Sequence, residues 1–129
     1  MKTKLILGTV TTTLLLFSGC SASNGNINAN KVFHLTDKNG MTLYTFDKDT
    51  KNKSNCYNDC EAKWPIFYGD VSNLNLPKDT HLDDFGTIIR NNGAKQITYK
   101  SQPLYYFFKD SNSYDKNGDG VKGVWHIIK

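Results

Sequence analysis

The sequence predicts a mainly β fold: a small single domain built from two related β repeats, as antiparallel hairpins or sheets, with long polar loops and at most one short helix. Three observations predict it. Short stretches alternate apolar with polar residues, the period of a half-buried strand, and are punctuated by Gly, Asn, Asp and Pro. No stretch carries a sustained apolar stripe at helical spacing. Two stretches also match each other. Leu43-Tyr44-Thr45-Phe46-Asp47-Lys48-Asp49 is followed by Trp64, and Leu104-Tyr105-Tyr106-Phe107-Phe108-Lys109-Asp110 by Trp125. Leu, Tyr, Phe, Lys, Asp and Trp all recur at one offset of 61 residues. Duplication of one supersecondary unit explains this. The repeats span about 32–68 and 94–129, within a domain of residues 31–129.

The elements follow in order. Val32 to Thr36 and Met41 to Phe46 read as a hairpin turning at Asn39-Gly40. Alternation places Met41, Leu43 and Thr45 on one face of the second arm and Tyr44 and Phe46 on the other. Asn55 to Lys63 suits a short helix or helical turn. Phe85 to Arg90 and Gln96 to Lys100 form another hairpin about Asn91-Asn92-Gly93. Pro103 to Phe108 follows as a strand, with Pro tolerable at its first position. Gly123 to Ile128 is a last strand, with Val124 and His126 opposite Trp125 and Ile127.

The first 30 residues read differently. Met1-Lys2-Thr3-Lys4 is short and basic, Leu5 to Phe17 is apolar apart from small residues, and Ser18-Gly19-Cys20 ends the run. That order describes a secretory signal peptide. The apolar run is shorter than the roughly 20 residues a spanning helix needs. Ser-Gly-Cys resembles the lipobox of bacterial lipoproteins, with Phe17 where Leu is usual. The resemblance implies removal of residues 1–19 and acylation of Cys20 by diacylglycerol and palmitate. Two or three acyl chains anchor a protein stably. Ser21 to Asn30 is rich in Ser, Asn and Gly, a composition that cannot bury enough surface to order itself. Residues 20–30 are therefore expected to be a lipidated tether, with a reach of roughly 17 Å for ten coil residues.

The formal charge of +4 includes Lys2 and Lys4, and the remaining charges are scattered. No basic patch argues for nucleic acid. The twice-used Tyr-x-Phe-x-x-Asp element, the Cys56/Cys60 pair ahead of Trp64-Pro65, and Gly120-Val121-Lys122-Gly123-Val124-Trp125-His126 carry a more specific likeness. They resemble the predicted bacterial lipoproteins with a Tyr-x-(Phe/Trp/Tyr)-x-x-Asp motif, also called the secreted repeat of unknown function. The resemblance covers nearly all of residues 31–129 and includes the leader. It implies the repeated fold and the envelope compartment, and it implies no activity.

Tyr44, Phe46 and Asp49, and Tyr105, Phe107 and Asp110, match that motif. One reading makes the aromatics core residues and has each aspartate accept hydrogen bonds from the next loop's backbone. The other makes two aromatic-acidic pockets for a ligand. Trp64 and Trp125 read as core residues of their repeats. Cys56 and Cys60 are the thiols left once Cys20 is acylated. An even pair in an oxidising compartment suits a disulfide; a redox-active pair and metal ligation stay open. His34, His81 and His126 are scattered as further ligands. Asp115-Lys116-Asn117-Gly118-Asp119-Gly120 fits the first half of a calcium loop, with Asp115, Asn117 and Asp119 as ligands. His126 stands where the closing Glu belongs, and Asp110 is a candidate donor in its place. The alternative is a polar turn.

The sequence shows no nucleophile with a base at readable spacing, no His-Glu-x-x-His and no Gly-rich phosphate loop. It predicts no enzyme and no cofactor beyond the calcium candidate. The expected role is a membrane-anchored envelope lipoprotein that binds or supports an envelope protein or small ligand. It would sit on the outer membrane in a Gram-negative host and on the outer face of the plasma membrane in a Gram-positive one. The rivals are a periplasmic redox or metal-handling accessory using Cys56 and Cys60, and a calcium-stabilised adhesin-like module.

Overall fold

Tyr44 and Tyr105 hold the same place in the two repeats, and their main chains face each other. The amide of Tyr44 donates to the carbonyl of Tyr105 at 2.8 Å, and that of Tyr105 to the carbonyl of Tyr44 at 3.0 Å. This closed antiparallel pair marks a local pseudo-twofold axis. On one side Tyr44 is opposite Ile127, and on the other Tyr105 is opposite Ile66. Further out, the amide of Asp47 donates to Val124, and that of Phe108 to Lys63. The second bond repeats the first 61 positions on in one partner and 61 back in the other. The computed structural model describes residues 33–129. The leader, Cys20, the tether and Val32 lie outside the described residues.

Two small antiparallel sheets flank this axis. β1 (Tyr44–Phe46) pairs with β5 (Trp125–Ile127). β2 (Phe85–Ile89), β3 (Lys95–Tyr99) and β4 (Gln102–Pro103) form the other sheet in that order. The helix is short, α1 (Asp59–Lys63), and three 3-10 turns cover Val71–Asn73, Leu82–Asp84 and Val121–Gly123. Among the described residues no helix is long and apolar enough to cross a membrane.

Alternation in the repeated stretch explains the core. Leu43 and Leu104 point to one side, into a cluster with Leu35, Phe67, Ile97, Tyr99 and Ile128. Tyr44 and Tyr105 point to the other, among Cys56, Trp64, Phe107 and Trp125. Both faces are covered, so each copy of the repeated stretch contributes one fully buried Leu and one fully buried Tyr, and Leu35 adds a third buried Leu from the first repeat. Burial of a large apolar side chain stabilises by about 1.5–3 kcal/mol. The two clusters therefore share one backbone layer.

The expected hairpin about residues 85–100 forms in full register, Phe85 opposite Tyr99 through Ile89 opposite Lys95. The first hairpin is slighter. It is bridged at Thr36 and Thr42, and its turn is held by the Asp37 carboxylate, which accepts from the amides of Asn39 and Met41. Gly40 supplies the left-handed φ of 83° there. The stretch from Pro103 to Phe108 is not one continuous strand. Past β4 it touches neighbours through single bridges at Tyr105, and the amides of Tyr106 and Phe108 are taken by Pro65 and Lys63. The last strand begins at Trp125, because Lys122 and Gly123 adopt positive φ in the preceding turn.

Candidate functional site

The repeated Tyr-x-Phe-x-x-Asp element works across the axis. The Tyr44 hydroxyl donates to Asp110 Oδ2 at 2.6 Å, and the Tyr105 hydroxyl to Asp49 Oδ2 at 2.6 Å. Each motif thus completes the other. The second oxygen of each aspartate takes a loop amide: Asn55 donates to Asp49 at 2.7 Å and Asn117 to Asp110 at 3.0 Å. The same asparagines cap the lysine carbonyl before each aspartate, Lys48 and Lys109. Loop amides were legible in the sequence as partners; the tyrosine from the opposite repeat was not. Burial raises the pKa of both phenols far above the usual tyrosine value, and their aspartate partners add to it. Burial also raises Asp49, against the lowering pull of the Tyr105 hydroxyl. With both oxygens of each carboxylate accepting, the pairs clasp the two halves together.

Beyond the tyrosines the rings form a ladder. Phe46 lies on Trp125 at 4.2 Å between centroids, Trp125 on Trp64 at 3.6 Å, and Trp64 on Phe107 at 4.2 Å. Tyr44 meets Trp64 edge-on at 5.4 Å, and Tyr105 meets Trp125 edge-on at 5.2 Å. Each of these contacts has its counterpart across the axis, while Tyr44 also meets Phe107 edge-on at 6.1 Å. Buried aromatic pairs add about 0.5–1.5 kcal/mol each beyond area burial. Gly118 is required beside the ladder, since a Cβ there would come within 2.8 Å of the Trp64 ring and 2.9 Å of Tyr44. In the sequence that glycine stands within the calcium-loop candidate, and nothing there marks its place beside the ladder.

The ladder floors a groove of about 520 Å³. Phe46, Trp64, Phe107 and Trp125 line it, with Phe108 standing 51% exposed at its side. Lys48, Lys63, Lys109 and Lys122 surround it, against one carboxylate, Asp59. Among the described residues none of these four ammonium groups is in an ion pair with a carboxylate; Lys109 lies over the Phe108 ring, 5.6 Å from its centroid. Lys48 and Lys109 are again repeat equivalents. The volume is in the range of small-molecule sites.

Cys60, on α1, borders the same groove. It forms a disulfide with the fully buried Cys56. Below it lies Arg90, 4% exposed, which the sequence offered only as a strand end. Its guanidinium donates to Ser54 Oγ, Gln96 Oε1, the carbonyl of Cys56 and the Glu61 carboxylate, and lies 4.3 Å from the Tyr57 ring centre. Ser54 Oγ also contacts the Tyr105 hydroxyl at 2.7 Å. This buried cation therefore ties the disulfide loop, the hairpin and one Tyr–Asp clasp together.

The remaining candidates do not converge. Asp115 accepts from the amides of Ser111 and Asn112, which hold its carboxyl below the usual range. Asp119 accepts from the amide of Ile127, and Asn117 from its own side donates to Asp110 and Lys109. In this stretch of turns one oxygen of each of these two acids accepts from main-chain amides. His34 is buried, bonded to Thr42, and burial lowers its pKa. His81 is exposed, and His126 pairs with Asp47 at 2.7 Å. Among the described residues no three His, Cys, Asp or Glu side chains gather as a metal site.

A family model described as a secreted repeat of unknown function matches residues 33–67 and 86–129. The second match begins ahead of residue 94, taking in nearly all of β2. No curated protein and no solved structure matches the chain.

Proposed function

The chain belongs to the family of secreted repeats of unknown function, and on that premise we propose that it is an envelope lipoprotein. Acyl chains on Cys20 would hold it to the membrane, and the folded body would act as a non-catalytic binding module. The lysine-rimmed aromatic groove on the repeat axis is the observation that carries the binding role. Membership of a secreted family supports a station outside the cytoplasm, and the Cys56–Cys60 bridge suits an oxidising compartment. The lipobox at Ser18-Gly19-Cys20 supports the anchor.

The test has two arms. Labelled palmitate is expected to enter the wild-type chain and not a Cys20→Ser variant. The full lipoprotein, extracted from its native envelope, is expected to carry a compound detectable by mass spectrometry that a Lys48→Glu/Lys109→Glu variant loses. Both lysines are exposed, so the fold should tolerate the change. A wild-type protein that leaves the envelope with nothing bound, and a charge-reversed variant that fully replaces it in the cell, would contradict the binding role.

A further inference from the structure

We infer that the groove takes a small aromatic organic anion, a flat ring system bearing a carboxylate or a similar acid. The inference rests on the groove being a binding site and names what it binds. Ring orientation comes first. Trp125 lies between Phe46 and Trp64, and Trp64 lies between Trp125 and Phe107. Both faces of each indole are covered, so the indoles offer the groove their edges. An aromatic edge carries the positive side of the ring quadrupole and favours the face of another ring or an anion. A sugar face stacked on an exposed indole, by contrast, has no indole face to use here.

Charge agrees with geometry. Four ammonium groups border the groove and one carboxylate opposes them. Lys48 and Lys109 come from equivalent positions in the two repeats, so the groove offers one cation from each half. The exposed Phe108 adds a ring to which Lys109 is already drawn. An apolar floor selects against a bare inorganic anion, and a cationic rim selects against a neutral ring.

The chain's two tryptophans are both in the ladder, so intrinsic emission reports on the groove itself. The experiment titrates the full lipoprotein, in nanodiscs of zwitterionic lipid, with 1-naphthoate, its neutral isostere 1-naphthamide, cyclohexanecarboxylate and inorganic phosphate. Affinity is read by calorimetry and location by tryptophan emission. Naphthoate is expected to bind about tenfold tighter than the amide and than either non-aromatic anion. That preference should shrink with added salt. Lys48→Gln and Lys109→Gln should each weaken naphthoate by similar factors, with unchanged Tm, and together should shrink its advantage over the amide further, with Lys63 and Lys122 holding the remainder. Equal binding of the amide would overturn the anionic class while leaving a working groove. Equal binding of phosphate would overturn the aromatic one. No binding of naphthoate, with a different compound recovered from the native envelope, would overturn the class but not the module. Neither probe nor native compound would overturn both.

Discussion

The two repeats present the same motif surface but secure it by different means. In the first, the loop after Asp49 carries a disulfide, a short helix and the buried Arg90 contacts. In the second, the loop after Asp110 is a run of turns in which the Asp115 and Asp119 carboxylates accept from main-chain amides and the Asn117 amide donates to Asp110. Cys60 and Glu61 in the first are replaced at equivalent positions by Val121 and Lys122. The shared part is what meets at the axis: tyrosine, aspartate, phenylalanine and tryptophan. What differs is the scaffold behind it. Duplication preserved the clasp and the ladder and left each outer loop free to find its own support.

Breaking the first repeat's support should cost most. Arg90→Leu leaves the Glu61 carboxylate and the acceptors of Gln96 and Cys56 without their donor. Glu61 is 35% exposed and water can take over its solvation, so the cost comes from the buried acceptors left unpaired, about 1–3 kcal/mol each, and urea unfolding should show it. Removing the disulfide by Cys56→Ala/Cys60→Ala should cost about 2 kcal/mol, because the closed loop is short. No covalent bond backs the second repeat's loop, and Asn117→Ala keeps the main-chain amide's hydrogen bond to Asp110 and loses only the exposed 3.4 Å contact with the Lys109 carbonyl, so it should be milder, within about 0.5 kcal/mol.

The clasps sharpen the comparison. Tyr105→Phe should cost more than Tyr44→Phe, both within about 1–3 kcal/mol. The Tyr105 hydroxyl also engages Ser54, which itself accepts from Arg90, whereas the Tyr44 hydroxyl's further partner is the single amide of Gly118. Equal losses would show that the two supports do not reach the clasp.

The smallest effect is pH dependence at His34. Burial, with Lys116 adding to it, lowers this pKa from 6.5. The folded state then binds the proton less well than the unfolded chain. Stability is full above 6.5 and declines as pH falls from there toward the folded pKa. His34→Gln should flatten that shallow slope in thermal melts between pH 7 and 5.

Much of the fold was legible because its signals are local. The alternation at residues 41–46 placed Leu43 and Tyr44 on opposite faces, and they enter different clusters. The hairpin about Gly93 was marked by its turn residues, and the short helix fell within its expected span. The offset revealed the duplication but not the exchange. Nothing in Tyr-x-Phe-x-x-Asp says whether a tyrosine bonds its own aspartate or the one 61 residues away. Arg90 sat at a strand end with no period to flag it. Lys48 and Lys109 were visible in both motifs, yet read along the chain they looked like scattered charge; only pairing about the axis gathers them on one groove.

Reciprocal clasping is therefore the central claim, and double-mutant cycles in urea unfolding test it most directly. The account predicts coupling of about 1 kcal/mol or more between Tyr44→Phe and Asp110→Asn, and additivity between Tyr44→Phe and Asp49→Asn. Coupling within one repeat, with additivity across the axis, would contradict it.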